Sequence, residues 1–189
     1  TDDAREEIAP DVGYNKTTSS ELDLVDRPES GKQILAFRFQ NLNIPQGATI
    51  NVAYIQFTCS TVSNMSPATY TVSVESADSS VTFSGAYFDI SGRAKTTEYV
   101  NWSPAEWLAA DEAAAPERTP DLSILVQKTV NRAGWSSGNP IAFYFNGTGL
   151  RKVRPFDSNP AAAALLYVAW TGGGAPPPPP TNSLSSAIA

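Results

Sequence analysis

The segment Ile50–Cys59 reads INVAYIQFTC, and it decides the fold class of this 189-residue chain. Its apolar side chains recur at every second position, at Ala53, Ile55, Phe57 and Cys59. A period of two is typical of a β-strand, because successive side chains point to opposite faces of a sheet. The segment therefore predicts an antiparallel sheet with one face on a hydrophobic core and the other in water.

The same alternation recurs in other segments, which are separated by Gly, Pro, Asn and Ser. A turn signal at residues 44–48, IPQGA, precedes Ile50–Cys59. We therefore predict a mainly β chain, folded as a two-sheet antiparallel β-sandwich. Besides Ile50–Cys59, the clearest predicted strands are Gln33–Gln40, Tyr70–Glu75, Thr97–Trp102, Ile141–Phe145 and Leu165–Trp170.

One α-helix is predicted to interrupt the strands, at about residues 120–133. Thr119 is placed to cap it, Pro120 fits its first turn, and Gly134 is placed to end it. We expect this helix to cross an open end or edge of the sandwich. A second, shorter helical turn is predicted at Ser103–Glu106, which has the pattern of a capping box. The apolar stripe of the longer helix consists of Leu122, Leu125, Val126, Thr129 and Val130.

The end of the chain has a different character. Gly172–Gly174 is a flexible glycine run, and five prolines that favour a polyproline II rod follow it: Pro176, Pro177, Pro178, Pro179 and Pro180. We divide the chain into a sandwich domain at residues 1–171 and a Gly/Pro-rich tail at 172–189. Residues 1–14 are a candidate exchanged strand.

The composition excludes several classes of function. The chain has no histidine, which removes Ser–His–Asp and Cys–His catalysis and most zinc sites. Cys59 is the only cysteine, so no internal disulfide can form, and we interpret it as a core residue. The net charge of −6 and the lack of a basic run argue against a nucleic-acid partner. No apolar run approaches the roughly 18 residues of a membrane span.

After histidine and cysteine are excluded, carboxylates are the remaining candidates for catalytic groups. Glycoside hydrolysis can use two carboxylates alone, but nothing in the spacing of Glu75, Asp78, Asp89 or Glu98 singles out such a pair. We therefore predict no enzyme and no catalytic residue. A structural Ca²⁺ is the one cofactor considered, although loop solvation explains its candidate oxygen ligands equally well. Those candidates are Glu75 with Asp78, and Asp157 with Asn159.

Four asparagines stand in Asn-x-Ser/Thr acceptor motifs for glycosylation: Asn15, Asn64, Asn101 and Asn146. Asn64 is the best candidate, because it is predicted to lie in a loop. Asn101 is the poorest, because a proline follows its serine and Trp102 can bury it. The prolines at 176–180 are candidates for hydroxylation and O-glycosylation, and a plain linker is the equal alternative.

Several separate segments, in this order, resemble the DNRLRE-type β-sandwich modules of large secreted proteins. The resemblance implies a jelly-roll-like sandwich with one crossing helix and an extracellular setting, and it supplies no catalytic residues. The module here stands alone and carries a polyproline tail, which resembles, more weakly, a subunit of a glycan-coated extracellular fibril. The matching segments are DDA at 2–4, SELDL at 20–24, FRF at 37–39, IPQGATI at 44–50, AYIQF at 53–57, RTPDLS at 118–123, VNR at 130–132, GWSSGN at 134–139 and FD at 156–157.

Two functions follow from these observations. The first is an extracellular or cell-surface subunit that polymerises head to tail with copies of itself and carries covalent glycans. A terminal segment would add a strand to the open sheet edge of the next copy. The N-terminal donor is slightly preferred, and its candidate contact residues are Ile8, Val12 and Tyr14. The C-terminal candidates are Leu184 and Ile188.

The second function is a carbohydrate-binding module. Such a site needs an exposed aromatic ring that stacks on a sugar face. Trp135 follows the predicted helix and is the candidate ring, but the preferred interpretation is that it packs on the core or the helix end.

Overall fold

The computed structural model describes residues 3–8, 13, 15–27 and 31–173 of the chain. The assembly candidates Val12, Tyr14, Leu184 and Ile188 and the prolines at 176–180 lie outside these described residues. The elements, in chain order, are β1 Asp3–Glu7, β2 Asn15–Lys16, β3 Leu22–Asp23, β4 Asp26–Arg27, β5 Gly31–Phe39, β6 Thr49–Gln56, β7 Met65–Val74, β8 Val100–Trp102, α1 Ser123–Val130, β9 Ile141–Leu150, β10 Lys152–Val153, a 3₁₀ helix Pro160–Ala162, and β11 Leu165–Thr171.

The strands form one large and one small antiparallel sheet. The large sheet has the order β2-β1-β5-β9-β7-β8, with β4 also paired to β5. The small sheet consists of β11 and β6, and the short strands β10 and β3 form a separate pair. Strand β1 runs antiparallel to β5, with Asp3 opposite Phe37 and Glu7 opposite Gln33.

The main core lies between the two sheets, which confirms the predicted β-sandwich. Phe37 on β5 and Phe145 on β9 come from the large sheet, and the ring centroid of Phe57 lies 5.2 Å from that of Phe37 and 5.6 Å from that of Phe145. Ala53 and Ile55 face the same core from β6. Cys59 is buried there, as expected for a core thiol, and burial raises its pKa.

The outer face of the large sheet is also covered, so the prediction of one wet face is wrong for β5. Six consecutive residues of β5 are buried, from Gln33 to Arg38. A second apolar cluster explains this burial, because Phe83 and Ile90 pack over Ile34 and Ala36. Both come from the long segment 76–99, which contains no strand and folds across the sheet.

Polar contacts hold segment 76–99 in place. The Glu6 carboxylate accepts hydrogen bonds from the backbone N–H groups of Ile90 and Ser91, each at 2.9 Å. Arg93 pairs with Asp89 at 2.9 Å and stacks over the ring of Phe83. A covering segment without regular structure is therefore tied to the sheet by charge-assisted hydrogen bonds.

The helix forms as predicted but is shorter, because its N-terminus is built differently. It begins at Ser123, and the hydroxyl of Thr119 accepts a hydrogen bond from the N–H of Ile55 on β6 instead of capping the helix. Asp121 accepts from the N–H groups of Ser123 and Ala53, which lowers its pKa. The helix ends at Val130 with Asn131 as its C-cap. The predicted stripe is confirmed as core, and α1 packs on β6 and β7.

The predicted helical turn at Ser103–Glu106 is absent, because its backbone carbonyl groups accept hydrogen bonds from a buried arginine instead. Arg151 is almost completely buried, and its guanidinium donates to the carbonyl oxygens of Ala105 at 3.0 Å and Pro104 at 3.1 Å. It also donates to the carbonyl oxygen of Leu150 at 2.7 Å. These bonds fix the loop before Trp107 against the end of β9. Among the described residues, no helix is long and apolar enough to span a membrane.

Candidate functional site: an open strand edge beside a groove

Strand β11 is the exposed edge of the small sheet. Its seven residues, LLYVAWT, carry no charge, and none of them is fully buried. Edge strands in stable monomers are normally short, charged or interrupted, because free N–H and C=O groups invite pairing with another chain. The edges of the large sheet follow that rule, since β2 has two residues and β8 has three. The one irregularity in β11 is a bulge at Ala169/Trp170.

The register shows which backbone groups of β11 are free to pair. Ile55 and Ala53 on β6 bond to Thr119 and Leu122 on the side of β6 that faces away from β11. In an antiparallel ladder the direction of these bonds alternates along each strand. Leu166 stands opposite Ile55, and Val168 stands opposite Ala53. The N–H and C=O groups of Leu166 and Val168 therefore point to the edge of β11 that no described strand pairs with.

A groove of about 440 Å³, lined by both apolar and polar residues, opens beside the first residues of β11. Its floor is half-buried and belongs to the margin of the main core. Phe156 forms part of the rim and is 40% exposed. The groove thus lies next to the edge of β11 and offers both apolar and polar side chains to an added strand. The apolar lining residues are Phe37, Phe39, Leu42, Phe156, Pro160, Ala161, Ala163, Ala164, Leu165 and Leu166, and the polar ones are Asp3, Arg38, Gln40 and Asn41.

The N-terminal strand β1 is paired within its own chain, one of the two arrangements that the sequence left open. Ile8, the one described N-terminal assembly candidate, is 44% exposed, and its N–H donates to the carbonyl oxygen of Lys32 at 2.9 Å. Asp3 accepts a hydrogen bond from the N–H of Phe156 at 2.7 Å. Arg5 is buried, and burial lowers its pKa, with Arg27 adding to this effect. Taking β1 out of its sheet would break all of these contacts.

A buried acid lies near β1. Asp23 on β3 is 3% exposed, and its cationic neighbours Arg27 and Lys152 lie at 3.6 and 3.7 Å. Burial raises the pKa of Asp23, and the two cations oppose that shift only in part. Its Oδ1 has no hydrogen-bond partner. Arg27 and Lys152 therefore neutralise Asp23 through long ion pairs, without a close hydrogen bond at Oδ1.

The described chain leaves β11 at the end that is far from the groove. Thr171 stands opposite Thr49, and Gly173 follows with a φ of +80°. A Cβ on Gly173 would lie 2.7 Å from the Cβ of Pro45, so glycine suits this close passage. Leu166 and the last strand residue, Thr171, are about 17 Å apart along the strand. The described chain therefore ends about one strand length away from the groove.

Trp135 is buried, which excludes the alternative of a sugar-stacking ring at this position and agrees with the preferred interpretation, packing on the core. Its side chain is 2% exposed, and its Nε1–H donates to the carbonyl oxygen of Ile44 at 2.9 Å. Trp102 and Trp107 are buried as well, and only Trp170 of the four tryptophans is exposed. The physical reason is that the turn after α1 folds Trp135 back onto the main core.

An exposed aromatic pair does exist on the outward face of the small sheet. Tyr54 on β6 and Tyr167 on β11 stand opposite each other and stack, with ring centroids 4.8 Å apart and planes inclined by 16°. The guanidinium of Arg118 covers the ring of Tyr54 at 4.3 Å. Tyr167 is 47% exposed at the open edge. Sequence reasoning missed this pair, because the cross-strand register is not visible in either strand alone.

The four carboxylates considered for acid–base chemistry each contact a cation. Glu75 and Asp78 were also the first candidates for calcium, and both bind arginines. Asp157, from the second calcium candidate, accepts a hydrogen bond from the N–H of Ser19 at 3.2 Å. Within the described ranges, no cluster of three or more His, Cys, Asp or Glu side chains is arranged to hold a metal. The ion pairs are Glu75–Arg93, Asp78–Arg132, Asp89–Arg93 and Glu98–Lys128.

The acceptor asparagines lie in different environments, and their accessibility reverses the order expected from the sequence. Asn64 is half-buried, and its side chain makes two hydrogen bonds to the backbone of Trp107. Asn101 and Asn146 are exposed on the large sheet. Asn15 lies on β2, where its backbone pairs with Glu6. Asn101 escapes burial because Trp102, its neighbour on β8, faces the core and Asn101 faces outward.

The groove itself was not foreseen. The segment Leu165–Trp170 was predicted as a strand, and its lack of charge is the signal that could have marked it as an open edge. Phe156 and Ala161 carry no such signal, since they contribute to the groove only through the tertiary fold. No family model matches this chain, and no curated protein matches it.

Proposed function

We propose that this chain is an extracellular structural subunit that polymerises head to tail into a glycosylated filament by strand addition. The observation that carries this proposal is the uncharged edge of β11, which no described strand pairs with, beside a groove with apolar and polar lining. An added strand would bond to the free groups of Leu166 and Val168. Alternate side chains of that strand would fill the groove, as in other cases of β-strand addition.

The C-terminal tail of a neighbouring copy is the donor that fits best. Residues 181–189 contain Leu184 and Ile188, which are spaced so that both face the same side of a strand. Using the tail displaces no strand, whereas an N-terminal donor requires β1 to leave its own sheet. In this proposal the earlier preference between the two termini is therefore reversed.

The proline run favours docking on another molecule over docking on the same one. If the tail turned back at Gly172–Gly174, Pro176–Pro180 would stand opposite most of β11. Proline has no N–H to donate, so these positions cannot form a ladder. Residues 181–189 would then reach the groove of their own chain only after five consecutive positions that form no ladder hydrogen bonds. A tail that leaves at one end of β11 and a groove at the other end produce a head-to-tail, open-ended contact.

A charged residue in the groove should block assembly without affecting the fold. Ala161 is exposed and lines the groove, so in Ala161→Glu a carboxylate must lose water when a strand docks. We expect subunit affinity to fall at least about 30-fold, which corresponds to about 2 kcal/mol. Light scattering and negative-stain microscopy measure this. The control is Ala109→Glu, which adds the same charge to an exposed loop away from the groove.

The donor is identified by truncation. A chain that ends at Pro180 lacks Leu184 and Ile188 and should remain a folded monomer with an unchanged melting temperature. If it still forms filaments, the tail is not the donor, and the N-terminal segment takes its place. Filaments of Ala161→Glu at the concentration that suffices for the parent chain would contradict the groove as receptor.

Carbohydrate binding is the second candidate function, and the Tyr54–Tyr167 stack is the observation that favours it. Tyr167 exposes a ring face at the sheet edge, and Gln56 and Arg118 provide polar groups beside the pair. We expect Tyr167→Ala to weaken retention on a bound polysaccharide about tenfold, or about 1.4 kcal/mol. Tyr99→Ala is the control, because Tyr99 is 59% exposed and makes no ring stack with any described residue. Equal retention of both variants would rule out this site.

A further inference from the structure

Two acceptor asparagines share one row of the large sheet. Asn101 on β8 stands opposite Thr71 on β7, and Thr71 stands opposite Asn146 on β9. The hydroxyl of Thr71 lies 3.4 Å from Oδ1 of Asn101. Two strand spacings amount to about 10 Å, so the two asparagines are near neighbours across the sheet. Their separation of 45 positions in sequence, from 101 to 146, conceals this arrangement.

Both side chains have the accessibility that a glycosylation acceptor needs. Asn101 and Asn146 are exposed, as are the hydroxyl residues Ser103 and Thr148 that complete their motifs. The side-chain oxygen of Asn146 accepts the N–H of Gly147 at 2.8 Å. Within the described part of the chain, no hydrogen bond engages Nδ2 of either asparagine. The amide nitrogen that would carry a sugar is therefore free at both positions.

Asn64 offers the opposite case within the same molecule. Its Nδ2 donates to the carbonyl oxygen of Trp107 at 2.9 Å, and its Oδ1 accepts the N–H of Trp107 at 3.0 Å. A sugar on Nδ2 would occupy the position of that carbonyl. Trp107 is one of the largest buried side chains, so the contact belongs to the folded core. A chain with a sugar on Asn64 could not close this contact.

We infer that Asn146 and Asn101 carry N-linked oligosaccharides that form a paired glycan face, and that Asn64 carries none. The inference rests on the proposed extracellular setting. In the transfer, Nδ2 loses a proton and bonds to the anomeric carbon of a lipid-linked oligosaccharide pyrophosphate, and the lipid pyrophosphate leaves. Asn146 is occupied more fully, because Pro104 follows the serine of the Asn101 motif. Both sugars project from the large sheet and leave β11 open for a strand.

The test uses the full chain secreted from a eukaryotic host that performs N-glycosylation. Enzymatic release of N-glycans in ¹⁸O-labelled water converts each occupied asparagine to labelled aspartate, which peptide mass spectrometry counts. We expect label at Asn146 and, at lower occupancy, at Asn101, with none at Asn64. Label at Asn64 equal to that at Asn146, or absence of label at both Asn101 and Asn146, would overturn the inference.

Matched variants separate modification from folding. Thr148→Ala removes the Asn146 motif without changing the asparagine, and it should lower the mass by one glycan while the melting temperature stays close to that of the parent. Ser66→Ala removes the Asn64 motif and should leave the glycan mass unchanged. A loss of glycan mass in Ser66→Ala would count against the inference. Filament formation is measured on the same material. Filaments without glycans would refute the glycan face but not the assembly. Glycosylated chains that stay monomeric would refute the assembly but not the glycan face.

Discussion

Replacing Arg151 with methionine is expected to lower the free energy of unfolding by at least about 3 kcal/mol, because several buried acceptors lose their donor at once. The guanidinium donates to the carbonyl oxygens of Leu150, Ala105 and Pro104, and more weakly to that of Met65 and to the hydroxyl of Ser66. Methionine fills similar space but donates nothing, so these buried acceptors lose their partner. For a chain of this length the melting temperature should fall by about 6–12 °C.

Arg154→Met is the matched control for Arg151. Arg154 pairs with Asp111 at 2.6 Å, but the aspartate side chain is 66% exposed. Surface ion pairs contribute at most about 1 kcal/mol, so this variant should melt within a few degrees of the parent. Thermal unfolding followed by circular dichroism compares the two. Equal shifts in melting temperature for the two variants would show that the buried hydrogen bonds of Arg151 contribute no more stability than a surface ion pair. Arg151→Lys keeps the charge but has fewer hydrogen-bond donors, so its melting temperature should lie between those of the parent and the methionine variant.

Replacing Trp135 with alanine should cost about 3–5 kcal/mol of stability, because it empties a buried indole site. The indole packs into the main core, and its Nε1–H is the partner of the Ile44 carbonyl oxygen. Trp135→Phe keeps most of the apolar volume and should lose about 1–2 kcal/mol through that carbonyl. Denaturant unfolding of the three proteins measures the differences.

Trp170→Ala is the control for Trp135. Trp170 is 39% exposed at the end of β11, so its removal should cost about 1 kcal/mol. If Trp135→Ala proved as mild as Trp170→Ala, the indole would not be part of the core. A sugar-binding role for Trp135 would then have to be reconsidered.

The proposed assembly and the buried positions above depend on different parts of the molecule. Arg151 and Trp135 act within one chain, so their variants should destabilise monomers and filaments alike. Ala161→Glu acts only where a second chain docks, so its effect should vanish in the monomer. Measuring melting temperature and filament length on each variant therefore separates folding from polymerisation.

Local patterns in the sequence were sufficient for the elements of the fold. The alternation in Ile50–Cys59 placed Ala53 and Ile55 on the core face, and the stripe from Leu122 to Val130 predicted the helix. The helix was predicted too long because Thr119 could serve either as a cap or as a partner for β6. That choice depends on a strand more than sixty residues earlier in the chain, at Ile55.

The positions of the candidate sites were much harder to predict. Asn64 was expected to be free in a loop, and it binds the backbone of Trp107. Asn101 was expected to be covered by Trp102, and it faces outward. In each case the side chain's surroundings come from a distant segment, so residue type and neighbours in sequence do not reveal them.

The sequence by itself determined the strand and helix periodicities, the absence of histidine chemistry and the unusual tail. These are properties of residue type and short-range spacing. The tertiary structure alone decided that segment 76–99 would cover β5, that Tyr54 would stack on Tyr167, and that β11 would remain an open edge beside a groove. The physical reason is that burial and pairing are long-range properties. A period of two specifies that a strand has two faces, but only the packing of distant segments decides which faces and edges stay uncovered.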